Sequence, residues 1–306
     1  MYSLVSVVMS TYNEKEEWLR LAIESILNQT YKNIEFIIII DNPDNDNIIK
    51  IVNEYAEIDT RINIIINDVN IGLVNSLNKG IKHSKGDYIA RMDADDISDL
   101  CRIEKQMNLM KKNENIQLVG GGIEYIDDSG SSIYRANIYG TTVKIAKKSL
   151  NYSNIIAHPT WLFKKEIFES IDGYKNIKYA EDYDFLIRAI DNGFNVININ
   201  EVLLKYRIRN NSISRKNGYY QYRIWNLLRN RNYNENEKII IDPRLEKKYI
   251  DSNIFFKKSI ENYKNRKYIK MFKYAFKSII KSKERSYQFI SLLKLRVINK
   301  LWVYTM

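Results

Sequence analysis

The sequence predicts an α/β protein with a doubly wound sheet, followed by a basic helical region. Short apolar runs rich in β-branched residues alternate with segments of helical spacing, and polar residues follow several of these runs. The charge balance changes along the chain: residues 211–306 contain 23 Lys and Arg against 7 Asp and Glu, whereas residues 1–210 contain 25 against 30. Opposite net charges in the two parts of the chain suggest two different functions. We therefore expect a domain over 1–214 and a basic helical C-terminal region over 215–306.

The elements of the first domain follow from their periodicity. The run 34–40 is continuous and β-branched, which is typical of a parallel strand covered on both faces. Strands are predicted at 5–9, 34–40, 62–66 and 88–92, with helices at 16–28, 48–55 and 72–84. Farther along, we expect helices over 98–113 and 183–192 and strands at 117–121, 160–163, 196–199 and 202–206. Beyond residue 215 the pattern is helical, basic and rich in tyrosine.

Three acidic residues, Asp93, Asp95 and Asp96, follow the fourth predicted strand. On extended backbone, side chains at i and i+2 point to the same side, so the carboxylates of Asp93 and Asp95 repel each other. A divalent cation such as Mg²⁺ or Mn²⁺ relieves this repulsion and prefers oxygen ligands. Ligands of open α/β sheets bind outside the carboxyl ends of the strands. The pattern therefore favours a metal–diphosphate site, although an acidic turn with a helix cap has the same composition.

Polar residues at the ends of the other strands lie at the same predicted edge. Hydroxyl and backbone N–H groups from Ser10 to Asn13 could cradle a ligand, and Asp41 could accept a hydrogen bond from a nucleobase N–H. The segment 68–73 joins a strand to a helix through a glycine. For each of them a helix cap or a simple turn is the alternative.

The order and spacing of these segments resemble those of the family 2 glycosyltransferases over residues 4–214. The matching segments are 5–13, 35–42, 70–73, 76–80, 86–96, 158–160, 173–174 and 181–184. The resemblance implies the GT-A fold, which is Rossmann-like with a doubly wound mixed sheet. It also implies that Asp182 is the catalytic base, with Glu181 beside it, and that Asp95 binds the metal. The nucleotide-sugar would be held by Thr11, Asn13, Asp41 on the base, Asn70, Arg91 and Asp93 near the ribose.

Two departures from the family pattern concern the donor. Many relatives carry an acid pair at the end of the second strand, whereas here Ile40 precedes Asp41, which suggests a single base-reading carboxylate. The segment 205–214 resembles a stretch that often has His where Arg209 stands. Arginine cannot ligate a metal as histidine can, but it pairs with a diphosphate. We therefore expect Arg207 or Arg209 on the phosphates, with a basic surface strand as the alternative.

The implied reaction is an inverting, metal-dependent transfer of a sugar from a nucleotide-sugar, expected to be a UDP-sugar. The expected acceptor is a glycan or a polyprenyl-diphosphate-linked glycan of a bacterial surface polysaccharide, such as a capsule or O-antigen. A nucleotidyltransferase acting on sugar phosphates would also use metal-binding acids, but residues 10–18 lack a Gly-rich basic phosphate loop. A non-catalytic sugar-nucleotide or membrane-binding module is a third possibility, against which the intact Asp93, Asp95 and Asp182 argue.

The C-terminal region contains a basic amphipathic pattern over residues 266–281. One helical face is predicted to hold Met271, Phe272, Ala275, Phe276, Ile279 and Ile280, and the other face is rich in lysine. Such a helix suits an anionic membrane surface, and packing against the catalytic domain is the alternative. No nucleic-acid recognition motif accompanies the charge, so no nucleic acid is expected as a partner.

Three further features bear on the location of the protein. The single cysteine, Cys101, suits a reducing compartment, and the first nine residues have a strand pattern rather than that of a signal peptide. No apolar run is long enough to predict a transmembrane helix. We therefore expect a cytoplasmic protein that is peripheral at the inner face of the cell membrane. His158 is expected to be structural, with a group at the acceptor site as the alternative, and Trp161 is expected in the core, with stacking on a sugar as the alternative.

Overall fold

A computed structural model describes residues 3–209, 218–234 and 239–301 of the chain. These residues belong to two compact units. Among the described residues, the first unit comprises 3–148, 154–177 and 181–209, and the second comprises 149–153, 178–180, 218–234 and 239–301. The domain boundary predicted at residue 214 lies outside the described residues.

The elements alternate between strands and helices up to residue 93, as the periodicity predicts, and their order is mixed from there to residue 209. They are β1 (Val5–Thr11), α1 (Glu16–Leu27), β2 (Ile34–Ile40), α2 (Asp46–Ile58), β3 (Ile62–Ile66), α3 (Leu73–His83), β4 (Tyr88–Asp93), β5 (Ile97–Ser98), α4 (Arg102–Lys112), β6 (Leu118–Ile126), β7 (Ser132–Arg135) and α5 (Val143–Leu150). A 3₁₀ helix (His158–Thr160), β8 (Leu162–Lys164), α6 (Lys165–Ser170), α7 (Glu181–Asp191) and β9 (Val196–Arg207) complete the set.

The strands form one mixed sheet in the order β3-β2-β1-β4-β8-β6-β9-β5, with β7 paired to β6. Strands β1 to β4 are mutually parallel, and β8 runs antiparallel to both β4 and β6. All seven residues of β2 are buried, which confirms that this strand is covered on both faces. The predicted doubly wound α/β fold with a mixed sheet is confirmed.

Strand register brings the ends of three strands to one edge of the sheet. Thr11 of β1 pairs with Ile40 of β2, and Ser10 pairs with Asp93 of β4. Because the strands are parallel, their carboxyl ends and the loops that follow them meet at the same edge. This register places three segments next to one another, although they are far apart in sequence. The segments begin at residues 11, 41 and 93.

Several predicted boundaries differ from the structure because tertiary pairing overrides local pattern. The helix predicted over 98–113 begins only at Arg102, since Ile97 and Ser98 pair with β9 instead. The carboxylate of Asp99 then accepts a hydrogen bond from the Cys101 N–H at 3.1 Å, and this turn leads into α4. The two strands predicted between 196 and 206 are one strand, β9, with a bulge opposite Gly121 and Gly122. The strand predicted at 160–163 begins at Leu162, after the 3₁₀ helix.

The second unit is helical, as predicted. Its helices are α8 (Gly218–Arg229), α9 (Pro243–Lys264), α10 (Tyr268–Lys281) and α11 (Lys283–Leu301). Helices α9 and α10 pack through small polar residues: the Ser278 hydroxyl donates to the Ser252 carbonyl at 2.8 Å, and the Ser259 hydroxyl donates to the Met271 carbonyl at 3.0 Å. Within the described part of the chain, no helix combines the length and the apolar character that crossing a membrane requires.

Trp161 has the structural role expected from the sequence, and substituting it should test the core of the first unit. Its side chain is 0% exposed, its indole N–H donates to the Ile156 carbonyl at 3.1 Å, and its ring lies 5.4 Å from that of Phe185. We expect Trp161→Ala to lower the free energy of unfolding by about 3–5 kcal/mol, because it removes a buried aromatic ring and leaves a cavity. Urea denaturation would measure this loss.

The matched control is Ile58→Ala, because Ile58 is a large apolar residue at the end of α2 that is 78% exposed. We expect that change to alter stability by less than about 0.5 kcal/mol. Equal effects of the two substitutions would contradict the described packing.

Candidate active site

The acidic cluster at the end of β4 is the centre of the candidate site. Carboxylate oxygens of Asp93, Asp95 and Asp96 all lie within 4.8 Å of one another. Asp93 pairs with Arg91, and the Arg209 guanidinium lies 2.7 Å from Asp95 Oδ2. The cluster therefore brings together three acids of which the sequence assigned only Asp95 to a metal.

The environment of the cluster opposes full ionisation. Burial, together with the neighbouring charge of Asp93, raises the pKa of Asp95 to about 7, against the opposing effect of Arg209. Burial and the charge of Asp95 raise the pKa of Asp96 well above its usual range. One oxygen of Asp96 accepts from the Arg207 N–H at 2.8 Å, and the other is buried with no hydrogen-bond partner among the residues described. Closely spaced carboxylate oxygens fit a hard divalent cation, which would offset the cost of holding them together.

A second acidic pair, Glu181 and Asp182, begins α7. The helix begins two residues before the start predicted at 183, and an ionised carboxylate is favoured at a helix N-terminus. Asp182 accepts hydrogen bonds from the Tyr183 N–H and from the Asn154 side-chain amide, each at 2.7 Å. Burial raises the pKa of Asp182 to about 6, and burial together with the charge of Asp182 raises the pKa of Glu181 to about 7. A carboxylate with a pKa near neutrality can both take up and release a proton at physiological pH.

Arg91 connects the two acidic groups electrostatically. It is 3% exposed on β4 and pairs with Asp93. Its positive charge acts to lower the pKa values of Asp96, Glu181 and Asp182 against the effect of burial. The charge of Asp93 in turn contributes to the raised pKa of Glu181. The acids after β4 and those of α7 therefore share one electrostatic environment.

Asp41, predicted to read the base, is held by the loop that follows β3. It is 3% exposed and accepts hydrogen bonds from the Asn67 side-chain amide at 2.8 Å and from the N–H groups of Ile71 and Gly72, both at 2.9 Å. A carboxylate offers about four acceptor positions, so about one remains for a ligand. Gly72 has a φ of +82°, a left-handed conformation that favours glycine at this point of the loop.

The predicted residues of the first loop are also hydrogen-bonded within the protein. The Thr11 hydroxyl donates to Glu14 Oε2 at 2.7 Å. Asn13 Oδ1 accepts from the side-chain amides of Asn42 at 2.9 Å and Asn45 at 3.0 Å, which ties the loop after β1 to the loop after β2.

Asn70, the remaining residue predicted to hold the nucleotide-sugar, lies on the surface. It is exposed, and its Oδ1 accepts from the Gly72 N–H at 3.0 Å. The residues predicted for the nucleoside thus occupy neighbouring loops at one edge of the sheet, and their assignment to a ligand stays a prediction.

The two arginines predicted for the phosphates have different surroundings. Arg207 is 3% exposed, donates to the backbone carbonyls of Asp95 and Asp127 at 2.8 and 2.9 Å, and lies over the Trp18 ring at 5.0 Å. Arg209 pairs with the Asp95 carboxylate and keeps 40% of its side chain exposed. Arg207 is therefore placed to support the turn after β4, and the geometry favours Arg209 for the phosphates.

Sequence reasoning left two residues of the site, Asp96 and Glu14, unassigned. Asp96 was noted only as a neighbour of Asp95. Glu14 accepts from the Thr11 hydroxyl and from the Tyr12 N–H, and its charge contributes to the raised pKa of Asp95. Its position three residues after a threonine is a capping-box spacing that could have singled it out. His158, expected to be structural, is buried, and its Nε2 lies 2.8 Å from the Tyr174 hydroxyl, a contact that no local sequence signal predicts.

An open cavity of about 840 Å³ lies elsewhere in the first unit. It is bordered by α1, β5, β6 and β9, including Leu21, Glu24, Leu100 and Lys205. None of the predicted site residues lines it. Its size alone does not make it a site, and the chemistry of the chain is concentrated at the carboxyl ends of the strands.

Comparisons with known proteins bear on the family and the fold of the chain. A family model described as "Glycosyl transferase family 2" matches residues 6–172. An uncharacterised glycosyltransferase of Methanocaldococcus jannaschii is 40% identical over 223 residues, which cover 72% of this chain and 77% of the relative. The O-antigen biosynthesis glycosyltransferase WbnJ of Escherichia coli is 36% identical over 222 residues, which cover 71% and 85% of the two chains.

Among solved structures, the chain resembles the mannosyltransferase PcManGT from Pyrobaculum calidifontis in complex with GDP-Man and Mn²⁺. The TM-score is 0.54 at 17% sequence identity, and the match covers 72% of this chain and 60% of that protein. At this level of identity the similarity concerns the fold, and it confirms the predicted GT-A architecture.

The raised pKa values predict how stability depends on pH without metal. Between about pH 5 and pH 7.5 the folded carboxyl groups of Asp95, Asp96, Glu181 and Asp182 hold more protons than the unfolded chain does, so stability falls as pH rises. Burial lowers the pKa of His158, so this group makes stability rise with pH. It is a single group, whereas four carboxyl groups act in the other direction. We therefore expect a lower free energy of unfolding at pH 7.5 than at pH 5 in EDTA, measured by urea denaturation.

Asp95→Asn isolates the contribution of the cluster, because it removes one of these titrating groups with little change of shape. We expect it to reduce the difference between the two pH values by about 1–3 kcal/mol. Mn²⁺ added at pH 7.5 should stabilise the wild type more than this variant. A wild-type stability that rises from pH 5 to pH 7.5 in EDTA would contradict the prediction.

Proposed function

This chain belongs to glycosyl transferase family 2, and we propose that it transfers a sugar from a nucleotide-sugar to an acceptor hydroxyl with inversion at the anomeric carbon and with a divalent cation. The predicted family membership and enzyme class are confirmed. One observation carries the finer proposal: three carboxylates that could hold a cation share an electrostatic environment with a second acidic pair of near-neutral pKa.

In this proposal the donor diphosphate lies at the acidic cluster. Asp95 would hold Mn²⁺ or Mg²⁺, with Asp93 and Asp96 close enough to assist. When bound, the cation supplies neutralisation of the negative charge that develops on the leaving diphosphate. Arg209, which pairs with Asp95 in the structure, would hold a diphosphate oxygen instead. The GDP-Man and Mn²⁺ bound by the structurally similar mannosyltransferase make these ligands natural ones to test.

The nucleoside would lie against the loops after β1, β2 and β3. Asp41 would use its remaining acceptor position for a base N–H, which suits uracil and supports a UDP-sugar. Thr11, Asn13 and Asn70 would line the same pocket, and Asp93, fixed by Arg91, would lie near the ribose. Internal hydrogen bonds hold these loops before a ligand arrives, which reduces the entropy lost on binding.

Asp182 would be the general base. The acceptor oxygen attacks the anomeric carbon, the bond from that carbon to the diphosphate oxygen breaks, and the acceptor proton passes to the Asp182 carboxylate. The hydrogen bonds from the Asn154 amide and the Tyr183 N–H would orient this carboxylate. Glu181 would lie in the acceptor region. A single in-line displacement inverts the configuration and needs no nucleophile from the enzyme.

The names of the relatives suggest where this reaction takes place. Proteins of O-antigen and amylovoran biosynthesis are among the relatives, so we propose an acceptor of a bacterial surface polysaccharide, such as a glycan or a polyprenyl-diphosphate-linked glycan. The domain over residues 1–214 would perform the transfer. The basic region over 215–306 would keep the protein peripheral at the inner face of the membrane, where lipid-linked acceptors are found.

The metal assignment predicts that donor binding depends on both the cation and Asp95. In calorimetric titrations with a panel of UDP-, GDP- and dTDP-sugars, we expect one donor to bind the wild type tightly only with Mn²⁺. Asp95→Ala should weaken that binding by at least about 100-fold, because it removes a charged ligand from the cation.

The control variant is Glu57→Ala, which removes an exposed carboxylate at the far end of α2 from the loop that follows β2. It should bind the donor as the wild type does. Donor binding that is insensitive to Asp95→Ala, or binding by no member of the panel, would rule out the proposed site.

The base assignment predicts that binding and turnover separate. Asp182→Asn should bind the donor with unchanged affinity but turn over about 10³-fold more slowly, because an amide cannot take up the acceptor proton. The wild-type kcat should rise with pH through about 6, where the Asp182 carboxyl ionises, and this rise should vanish in the variant. Glu181→Gln serves as the neighbouring control and should retain the pH dependence. A variant Asp182→Asn with more than a tenth of the wild-type kcat would exclude Asp182 as the base.

A further inference from the structure

Helix α10 of the second unit exposes an apolar stripe on its surface. Ile269, Phe272, Phe276 and Ile280 are 88%, 67%, 65% and 66% exposed. Their spacing of three or four residues puts them on one side of the helix. Helices of globular proteins normally turn such a stripe toward the core, so this one is unusual.

The other side of α10 is the side that packs within the unit. Ser278 is 1% exposed and donates to the Ser252 carbonyl of α9, and the Met271 carbonyl accepts from Ser259 of the same helix. The sequence grouped Met271, Ala275 and Ile279 with the exposed stripe, but these three residues are half-buried. The stripe therefore takes no part in the packing of α10 on α9. It remains exposed and can contact another surface.

Positive charge borders the stripe. Residues 267–281 contain five lysines and neither Asp nor Glu. Lys270, Lys273 and Lys277 are exposed, and at 100° per residue they follow the stripe along one side. Lys277 is at the edge of this row nearest α9, since its Nζ lies 5.9 Å from the centre of the Phe255 ring. Lysines with long apolar stems can lie beside an apolar surface and keep their ammonium groups in a polar, anionic layer.

We propose that this face of α10 docks on an anionic lipid bilayer, with the helix lying in the plane of the interface. Ile269, Phe272, Phe276 and Ile280 would enter the boundary between headgroups and acyl chains, and Lys270, Lys273 and Lys277 would contact anionic headgroups. A second copy of the chain fits this face less well, because symmetric pairing would bring two rows of lysines together with no acid between residues 267 and 281 to compensate them.

This docking surface goes beyond the transferase chemistry and can be tested separately, since none of the proposed site residues lies on α10. The full chain should be sedimented with vesicles of phosphatidylcholine alone and with vesicles that also contain phosphatidylglycerol. We expect at least about 10-fold stronger binding to the anionic vesicles, and weaker binding at high salt. A Phe276→Trp reporter should show a blue shift of its added emission with the anionic vesicles only.

Two variants test the two parts of the face. Phe272→Ser with Phe276→Ser should weaken vesicle binding by about 10-fold or more, because it removes the two largest inserting side chains. Lys270→Gln with Lys273→Gln and Lys277→Gln should weaken binding to anionic vesicles and reduce its dependence on salt. All five positions are exposed, so circular dichroism should show unchanged folding.

The controls are Ile58→Ser, at an exposed apolar position, and Lys32→Gln with Lys50→Gln and Lys112→Gln, which removes three exposed lysines elsewhere. These controls should bind vesicles as the wild type does. Wild-type binding that is absent or indifferent to phosphatidylglycerol would overturn the proposal, and so would unchanged binding by the phenylalanine variant. A dimer in light scattering that this variant converts to a monomer would identify the face as a self-association surface instead. Donor binding measured without vesicles reports on the transferase proposal independently.

Discussion

The mutual repulsion of buried carboxylates is the constraint on which the candidate site depends. Asp93, Asp95, Asp96 and the pair that begins α7 lie in one electrostatic environment, and burial raises the pKa values of four of these five groups. Arg91 is the buried cation that opposes this repulsion, since it pairs with Asp93 and acts on both groups. Its place on β4, between β1 and β8, fixes that charge within the sheet. A buried charge that loses its partner is costly, so the acids and Arg91 depend on one another.

The sheet turns a short acidic motif into a site by bringing distant residues to it. Parallel register carries the loops after β1 and β2 to the end of β4, whereas the start of α7 arrives from almost ninety residues later in the chain. The acids after β4 occupy the usual ligand edge of an open α/β sheet. In the proposed function, the repulsion among these carboxylates would become affinity once a cation and a diphosphate neutralise it. The cost of holding the carboxylates together and the affinity for the donor would then have the same physical origin.

The sequence predicts the strands and the acidic motif well because both are local signals. The apolar run of β2 and the spacing of Asp93 and Asp95 can be read within a few residues. The difference between Arg207 and Arg209 cannot be predicted in this way, because only the pairing of β9 with its neighbours decides which guanidinium is buried. The same holds for α10, where packing on α9 selects which side of an apolar helix is exposed. Local pattern gives the elements, and tertiary contacts decide which of their side chains remain available to ligands.

The end of β9 and the residues after it contact the acidic cluster in two different ways. The Arg207 N–H donates to the Asp96 carboxylate, and its guanidinium donates to the Asp95 carbonyl, so the backbone of the turn is held firmly. Two residues later, Arg209 neutralises the Asp95 carboxylate with a more exposed side chain. In the proposed function a divalent cation would replace that single charge with two and free Arg209 for the diphosphate. Metal and donor would then bind cooperatively. The cation would free Arg209 for the diphosphate, and the diphosphate would draw Arg209 away from the Asp95 carboxylate that holds the cation.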